Sequence, residues 1–328
     1  MKRFLSVLLA LSMLTVSAAC TPKQAIRYAD TYYENVVLPK AVSPVKTDMR
    51  LTGMAEDVIL LPDVSEYDPE KIDVGFAALF NVTGDEILYL KQPTDRIYPA
   101  SMTKIMTALL VIENCRNFDE KIRVTDVMNT GLTENSSSAG LQIGCSYSVT
   151  DLLYGLLIPS GNDAANVLAD YIAGSVPAFV DMMNEKALSL GMFDTHFANP
   201  HGLHDRNHYT TVYDLYLLMK ECIKYPMFIG AAGSQVATIN GIREDGSTFS
   251  QSYKSTNSFL LGYTVPPEGI RVRAAKTGYT SQAGRCLILA VQDSEKNFYI
   301  AVVAKADTYD NLYLHMNELL AIITEEEE

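Results

Sequence analysis

The sequence predicts a mixed α/β protein of the α+β kind: one sheet assembled from strands near the two ends of the chain, with helices inserted between them as a second lobe. Two observations lead there. Short apolar runs joined by turn formers occur at residues 74–90 and again at 285–305, and the stretch between them is dominated by apolar segments with helix caps and breakers.

At the start, Lys2 and Arg3 precede an apolar run over residues 4–16 that ends in Ser17, Ala18 and Ala19, the pattern of a secretory signal peptide over residues 1–19. The run is shorter than the roughly 20 apolar residues a membrane-spanning helix needs, and no later segment reaches that length. Cleavage before Cys20 would leave an N-terminal cysteine, which is similar to the bacterial lipoprotein signal, although Ser17 stands where that signal usually has a large aliphatic residue. Lipidation at Cys20 is the expectation, with ordinary cleavage beside an unmodified cysteine as the alternative; several acyl chains hold a protein to a membrane far more firmly than one. The expected location is the outer face of the cytoplasmic membrane or the cell wall.

Removal of residues 1–19 from the 328 leaves 309 and takes away two positive charges, moving the formal net charge from −13 to −15. So acidic a chain is a poor partner for nucleic acid. With 48% hydrophobic residues it has ample material for a large core. Cys115, Cys145, Cys222 and Cys286 show no C-x-x-C pair, and no histidine stands at metal-ligand spacing, so neither a zinc site nor a disulfide framework is indicated. One or two disulfides and buried free thiols both remain open.

Residues 20–71 lack a clean period and carry Pro39, Pro44, Pro62 and Pro69, which marks a tether with some local structure ahead of a domain over 72–328. Residues 74–80 and 86–90, joined by Asn81-Val82-Thr83-Gly84-Asp85, predict a β-hairpin. From Ser101 to Ile112 the apolar residues cover most of a helical surface, so a helix buried on nearly all sides is expected. A helix over 150–157 with a Thr/Asp cap should break at Pro159-Ser160-Gly161, with further helices over 163–171 and 176–190 and then a loop, Asn199-Pro200-His201-Gly202-Leu203. Residues 285–292 and 298–305 predict a second hairpin, and a closing helix runs over 309–323 before four glutamates.

Three short motifs occur in order: Ser101-Met102-Thr103-Lys104, Ser160-Gly161-Asn162 and Lys276-Thr277-Gly278. Each alone is weak, as the chain's own decoys Ser43-Pro44-Val45-Lys46 and Ser255-Thr256-Asn257 demonstrate. An isolated S-x-x-K is most simply a capped helix start with a lysine extended to solvent. At Ser101 the spacing of three instead puts serine and lysine on one face, one turn apart, at the start of an apolar helix.

The ordered trio resembles the S-x-x-K, S-D-N and K-T-G signature of class A β-lactamases and penicillin-binding proteins. The stretches around it, Tyr98 to Leu110, Asp151 to Ala165, Asn199 to Leu203 and Lys276 to Thr280, resemble the low-molecular-mass serine D-alanyl-D-alanine carboxypeptidases, and the similarity extends over roughly residues 72–324. That resemblance implies a serine β-lactamase/DD-peptidase-like fold, an antiparallel sheet flanked by helices with a helical lobe beside it and the cleft between. It implies that Ser101 is the acylating nucleophile and Lys104 its base, and that Ser160 relays a proton to the departing D-alanine. Asn162 would bind the substrate's amide backbone, Lys276 and Thr277 its terminal carboxylate, and Gly278 would let it lie alongside an edge strand. The oxyanion hole would come from the N–H groups of Ser101 and Tyr279. Implied partners are peptidoglycan stem peptides ending in D-Ala-D-Ala and β-lactam antibiotics; no metal or organic cofactor is needed.

His196, His201, His204 and His208 crowd one region, but their spacing fits no H-E-x-x-H pattern, and the Asn199 to Leu203 loop matches the carboxypeptidases without a ligand role. Two departures stand out. Many relatives add a C-terminal β-rich domain and a membrane-binding helix, whereas this sequence ends after one closing helix, which would leave the N-terminal lipid as the membrane anchor. Some relatives also carry an arginine between the last strand and that helix, where this chain reads Asp307-Thr308-Tyr309-Asp310. The competing enzyme class is a serine β-lactamase, whose E-x-x-L-N glutamate has only Glu185-Lys186-Ala187-Leu188-Ser189 as a near match. A β-lactam sensor that acylates without turnover is the competing binding module.

Overall fold

A computed structural model describes Asp68 and residues 70–134 and 136–325. The chain divides into two units, residues 1–49 and 50–328, and everything described belongs to the second. The expected signal peptide, Cys20, the Ser43 to Lys46 decoy and nearly all of the expected tether lie outside the described residues.

The first hairpin forms as read, from β1 (Phe76–Asn81) and β2 (Glu86–Lys91). A 3-10 turn over Ala100–Thr103 then leads into α1 (Lys104–Asn114). The expected single helix from Ser101 is thus two segments. Beyond β3 (Lys121–Arg123) and β4 (Ser146–Ser148) come α2 (Val149–Leu157), α3 (Asn162–Ala173) and α4 (Val176–Ser189). The α2 cap is Ser148, not Thr150: Ser148 Oγ accepts from Asp151 N at 2.9 Å while the Asp151 carboxylate accepts from Ser148 N, a capping box two residues earlier than expected.

Two elements pairs follow that the sequence reading did not assign: α5 (Val212–Cys222) with α6 (Pro226–Ala232), and the hairpin β5 (Val236–Ile242) with β6 (Thr248–Lys254). A short α7 (Ser258–Leu261) precedes β7 (Arg271–Thr280), β8 (Gly284–Gln292), β9 (Phe298–Ala306) and the closing α8 (Tyr309–Glu325).

The main sheet is antiparallel in the order β2-β1-β9-β8-β7, so the strands from the two ends of the domain do join, with β7 at an edge. Both faces are covered, which is why β8 and β9 read as nearly unbroken apolar runs. Leu287, Leu289, Ala301 and Val303 pack toward α8, while Cys286, Ile288, Ile300 and Val302 pack toward the helical lobe. In that lobe α1 touches α2, α3, α4, α5 and α6, and its residues from Lys104 to Val111 are all buried. A central helix on such a scale of burial is a rigid mount for whatever its first turn carries.

The smaller sheet, β3-β4-β5-β6, was not foreseen. Its role is local: the Tyr253 hydroxyl on β6 donates to Ala139 O, and β5 packs on α2, so the sheet supports the 136–141 loop. Among the described residues no helix is long and apolar enough to cross a membrane.

Candidate active site

Ser101 sits in the 3-10 turn and Lys104 opens α1. In a 3-10 turn residues three apart eclipse, so the correction to the helix start brings the pair closer to register than an α-helix would. Lys104 Nζ and Ser101 Oγ are 3.1 Å apart. The turn is held under strain: Ala100 has φ +47°, a left-handed conformation that costs a non-glycine residue about 1–3 kcal/mol. Surrounding contacts fix it. Thr103 Oγ1 donates to Ala100 O at 2.8 Å, and Gly202 approaches so closely that a Cβ there would lie 1.8 Å from Ala100 O.

Lys104 is fully buried, and its Nζ also donates to Asn162 Oδ1 at 2.6 Å and to the carbonyl of His201 at 2.7 Å. Burial first, and the neighbouring Lys276 second, push its pKa well below the ordinary lysine value, with Asp163 opposing. A neutral amine has two N–H bonds and one lone pair. With the two fixed acceptors taking the N–H groups, the lone pair is left for the Ser101 hydroxyl.

The second motif enters at the start of α3. Ser160 has φ +62°, Gly161 is the N-cap, and Asn162 N donates to Ser137 O at 2.9 Å. Glycine is required at 161 because a Cβ would lie 2.7 Å from both the Ala139 Cβ and Asp163 Oδ1. The Asp163 carboxylate accepts from Ala139 N, Leu141 N and Ser138 Oγ, pinning the 136–141 loop to the helix.

From β7, Lys276 donates to Ser160 Oγ at 3.0 Å and to Thr277 O at 3.0 Å. Its side chain is also buried, and burial lowers its pKa to about 7. Gly278 lies against the Ser101 turn: a Cβ there would be 2.9 Å from Pro99 O and 3.3 Å from Ser101 N. Edge strand and serine amide therefore adjoin. Tyr279 is 60% exposed, and Thr277 Oγ1 is 2.6 Å from Thr256 Oγ1.

All three motifs thus converge, Ser101, Lys104 and Asn162 in one hydrogen-bonded set and Ser160 with Lys276 in the next. Several participants were not anticipated. The His201 carbonyl holds Lys104, yet a backbone oxygen leaves no trace in residue type. Asn162, expected to face substrate, is seen holding the lysine. The Ser255 to Asn257 decoy is structural in part, since Asn257 caps α7 through Leu260 N, but Thr256 reaches Thr277.

The four histidines form no shared ligand set. His208 Nδ1 accepts from Ala198 N, so Nε2 carries the proton and bonds Thr103 Oγ1 at 2.7 Å; His204 packs on Tyr98; His196 bonds Asn207 O. Burial lowers His201 and His208 to about 3. Among the described residues no cluster of histidines, cysteines and carboxylates is arranged to hold a metal ion. Cys115, Cys145, Cys222 and Cys286 are free thiols. Glu185 is exposed on α4.

A buried lysine against a serine, where the edge strand of an antiparallel sheet meets a helical lobe, goes with the serine β-lactamase-like fold. The sequence model of the family described as D-alanyl-D-alanine carboxypeptidase, peptidase S11, matches residues 63–308, and the chain belongs to that family. It is 34% identical over 240 residues to the D-alanyl-D-alanine carboxypeptidase DacF of Bacillus subtilis, covering 71% of this chain and 57% of that one. With the DacD carboxypeptidase of Escherichia coli it shares 35% over 251 residues, 73% of this chain and 60% of the relative. The chain thus spans about three-fifths of the length of these relatives. The solved DD-transpeptidase of Streptomyces K15 superposes with a TM-score of 0.72 at 27% identity, covering 77% of this chain and 98% of that one.

Proposed function

We propose that the protein is a serine D-alanyl-D-alanine carboxypeptidase that removes the terminal D-alanine from peptidoglycan stem peptides and is acylated by β-lactams. The observation that carries the reading is the 3.1 Å approach of a fully buried, easily deprotonated Lys104 to Ser101.

Neutral Lys104 takes the Ser101 proton as Oγ bonds to the carbonyl carbon of the penultimate D-alanine. The oxygen that gains charge is met by the N–H groups of Ser101 and Tyr279. As the C–N bond breaks, the proton lost by Ser101 reappears on the departing amine, delivered by Ser160, whose Oγ is oriented by Lys276. Thr277 and Lys276 receive the substrate carboxylate, and Gly278 gives the peptide backbone room at the edge of β7. A water then adds its oxygen to the acyl carbon and returns a proton to Ser101.

The exported location, the cleavage of residues 1–19 and the lipid on Cys20 belong to the same proposal and rest on the sequence pattern alone. Intact-mass measurement after mixing the protein with penicillin, run beside an assay for released D-alanine, tests the activity. A lasting adduct absent in Ser101→Ala, with D-alanine release, supports it. Rapid penicillin turnover indicates a β-lactamase, and an adduct without D-alanine release indicates a sensor.

A further inference from the structure

Arg285 opens the apolar part of β8 directly opposite Tyr279 of β7. Its guanidinium carbon lies 4.7 Å from the centre of the Tyr279 ring and 5.7 Å from that of Tyr309. Nε is buried without a hydrogen-bond partner, and the guanidinium forms no ion pair with a described carboxylate, Asp307 and Asp310 included. An arginine N–H removed from water and left unpaired is unfavourable, because its desolvation is uncompensated. Two aromatic faces hold the cation in place without satisfying that donor.

We infer that Arg285 is a substrate-binding residue that takes the terminal carboxylate of the peptide together with Thr277. Strand alternation puts Thr277, Tyr279 and Arg285 on one face of the sheet, the face on which Leu287 and Leu289 pack toward α8. Thr277 pairs with Leu287, so Arg285 is its diagonal cross-strand neighbour, a separation of about 7–8 Å that a long side chain spans. Tyr309 closes the circle, since its hydroxyl donates to Thr256 O at 3.1 Å and Thr256 bonds Thr277.

Lys276 approaches the same strand edge from the opposite face. Burial holds it at about 7, so near neutral pH it is charged only part of the time, whereas a guanidinium stays charged throughout. A planar fork also matches a carboxylate with two parallel bonds, which an ammonium does not.

The inference rests on the carboxypeptidase reading above, and one experiment separates the two. Benzylpenicillin and its methyl ester differ only in the carboxylate, and their rates of acylating the full-length protein are measured by intact mass across pH 6 to 9, for the unmutated protein, Arg285→Gln and Arg285→Lys. The expected result is that Arg285→Gln lowers the preference for acid over ester about 10- to 100-fold and that Arg285→Lys restores part of it. The residual preference in Arg285→Gln should vanish as pH rises through about 7, while that of the unmutated protein persists. An unchanged preference, or equal slowing of both compounds, overturns the role of Arg285. Should Arg285→Gln not fold, the unmutated protein decides, because a preference lost above pH 7 has no arginine behind it. Acylation by neither compound overturns the carboxypeptidase reading and this inference with it.

Discussion

His208 Nε2 donates to Thr103 Oγ1 at 2.7 Å, and Thr103 Oγ1 donates in turn to Ala100 O, so a neutral, buried imidazole holds the strained residue that precedes Ser101. Ser101 is positioned by a chain of hydrogen bonds that exists only while His208 keeps one nitrogen unprotonated, because Nδ1 accepts from Ala198 N.

Acid should therefore destabilise the fold before it titrates most carboxylates. His201 and His208 are lowered from 6.5 to about 3 by burial, so below pH 6.5 the unfolded chain takes up protons that the folded chain refuses. Their stabilisation is complete above 6.5 and is lost as pH falls toward 3, at about 1.4 kcal/mol per pH unit for each. Asp214, raised by burial from 3.8 to about 6, works in the opposite sense between those values and offsets one of the two. Urea unfolding between pH 4 and 6 should show stability rising with pH, and His208→Gln should flatten that slope by about 1.4 kcal/mol per unit. An identical slope in the variant would count against the buried neutral imidazole.

Gly202 and Gly278 both touch the turn around Ala100 and should fail differently. At Gly202, φ is +93° and a Cβ would overlap Ala100 O, so Gly202→Ala combines backbone strain of about 1–3 kcal/mol with a clash against fixed backbone. Loss of several degrees in melting temperature is expected. Gly278→Ala meets Pro99 O at 2.9 Å and Ser101 N at 3.3 Å, a few tenths of an ångström too close. It should cost less stability than Gly202→Ala yet acylate with penicillin about tenfold or more slowly, because small displacements of reacting groups are costly in rate. Normal acylation by Gly278→Ala would show that the edge strand has slack.

Much of this was legible because the chemistry resides in side chains at fixed short spacings: Ser101 with Lys104, Ser160 with Asn162, and Lys276 with Thr277 and Gly278. The terminal hairpins were legible too, since their strands are apolar and joined by turn formers. What stayed hidden has physical causes. Helix α5 is buried on every side, Asp214 and Lys220 included, so it has no apolar stripe to read. Strand β6 has Phe249 and Tyr253 as its aromatic residues, the rest being polar, and alternates between exposed and half-buried positions. The His201 carbonyl acts through backbone, Thr256 reaches Thr277 from outside any recognised motif, and Arg285 meets Tyr279 only through the register of the β7–β8 hairpin.

If Cys20 carries the lipid, the mature protein should sediment with washed membranes, and Cys20→Ala or Cys20→Ser should release it. Retention of both variants on the membranes would remove the lipid anchor from the proposal.

The two buried lysines make the sharpest prediction, because the charge of Lys276 bears on the titration of Lys104. Lys104 is depressed by burial and then by the charge of Lys276, while Lys276 titrates near 7. Acylation needs Lys104 neutral, so its rate should rise with pH along an acidic limb that reports Lys104 in the free enzyme. Lys276→Met removes a like charge that is present below about pH 7, so protonated Lys104 becomes easier to hold and the limb should move to higher pH. The variant must lose affinity as well, but affinity alone rescales the rate without moving the limb. Measuring penicillin acylation from pH 4 to 9 separates the two effects. A limb that stays in place in Lys276→Met, or moves to lower pH, would mean that Lys104 is neutralised by burial alone and that Lys276 acts only through Ser160 and the substrate.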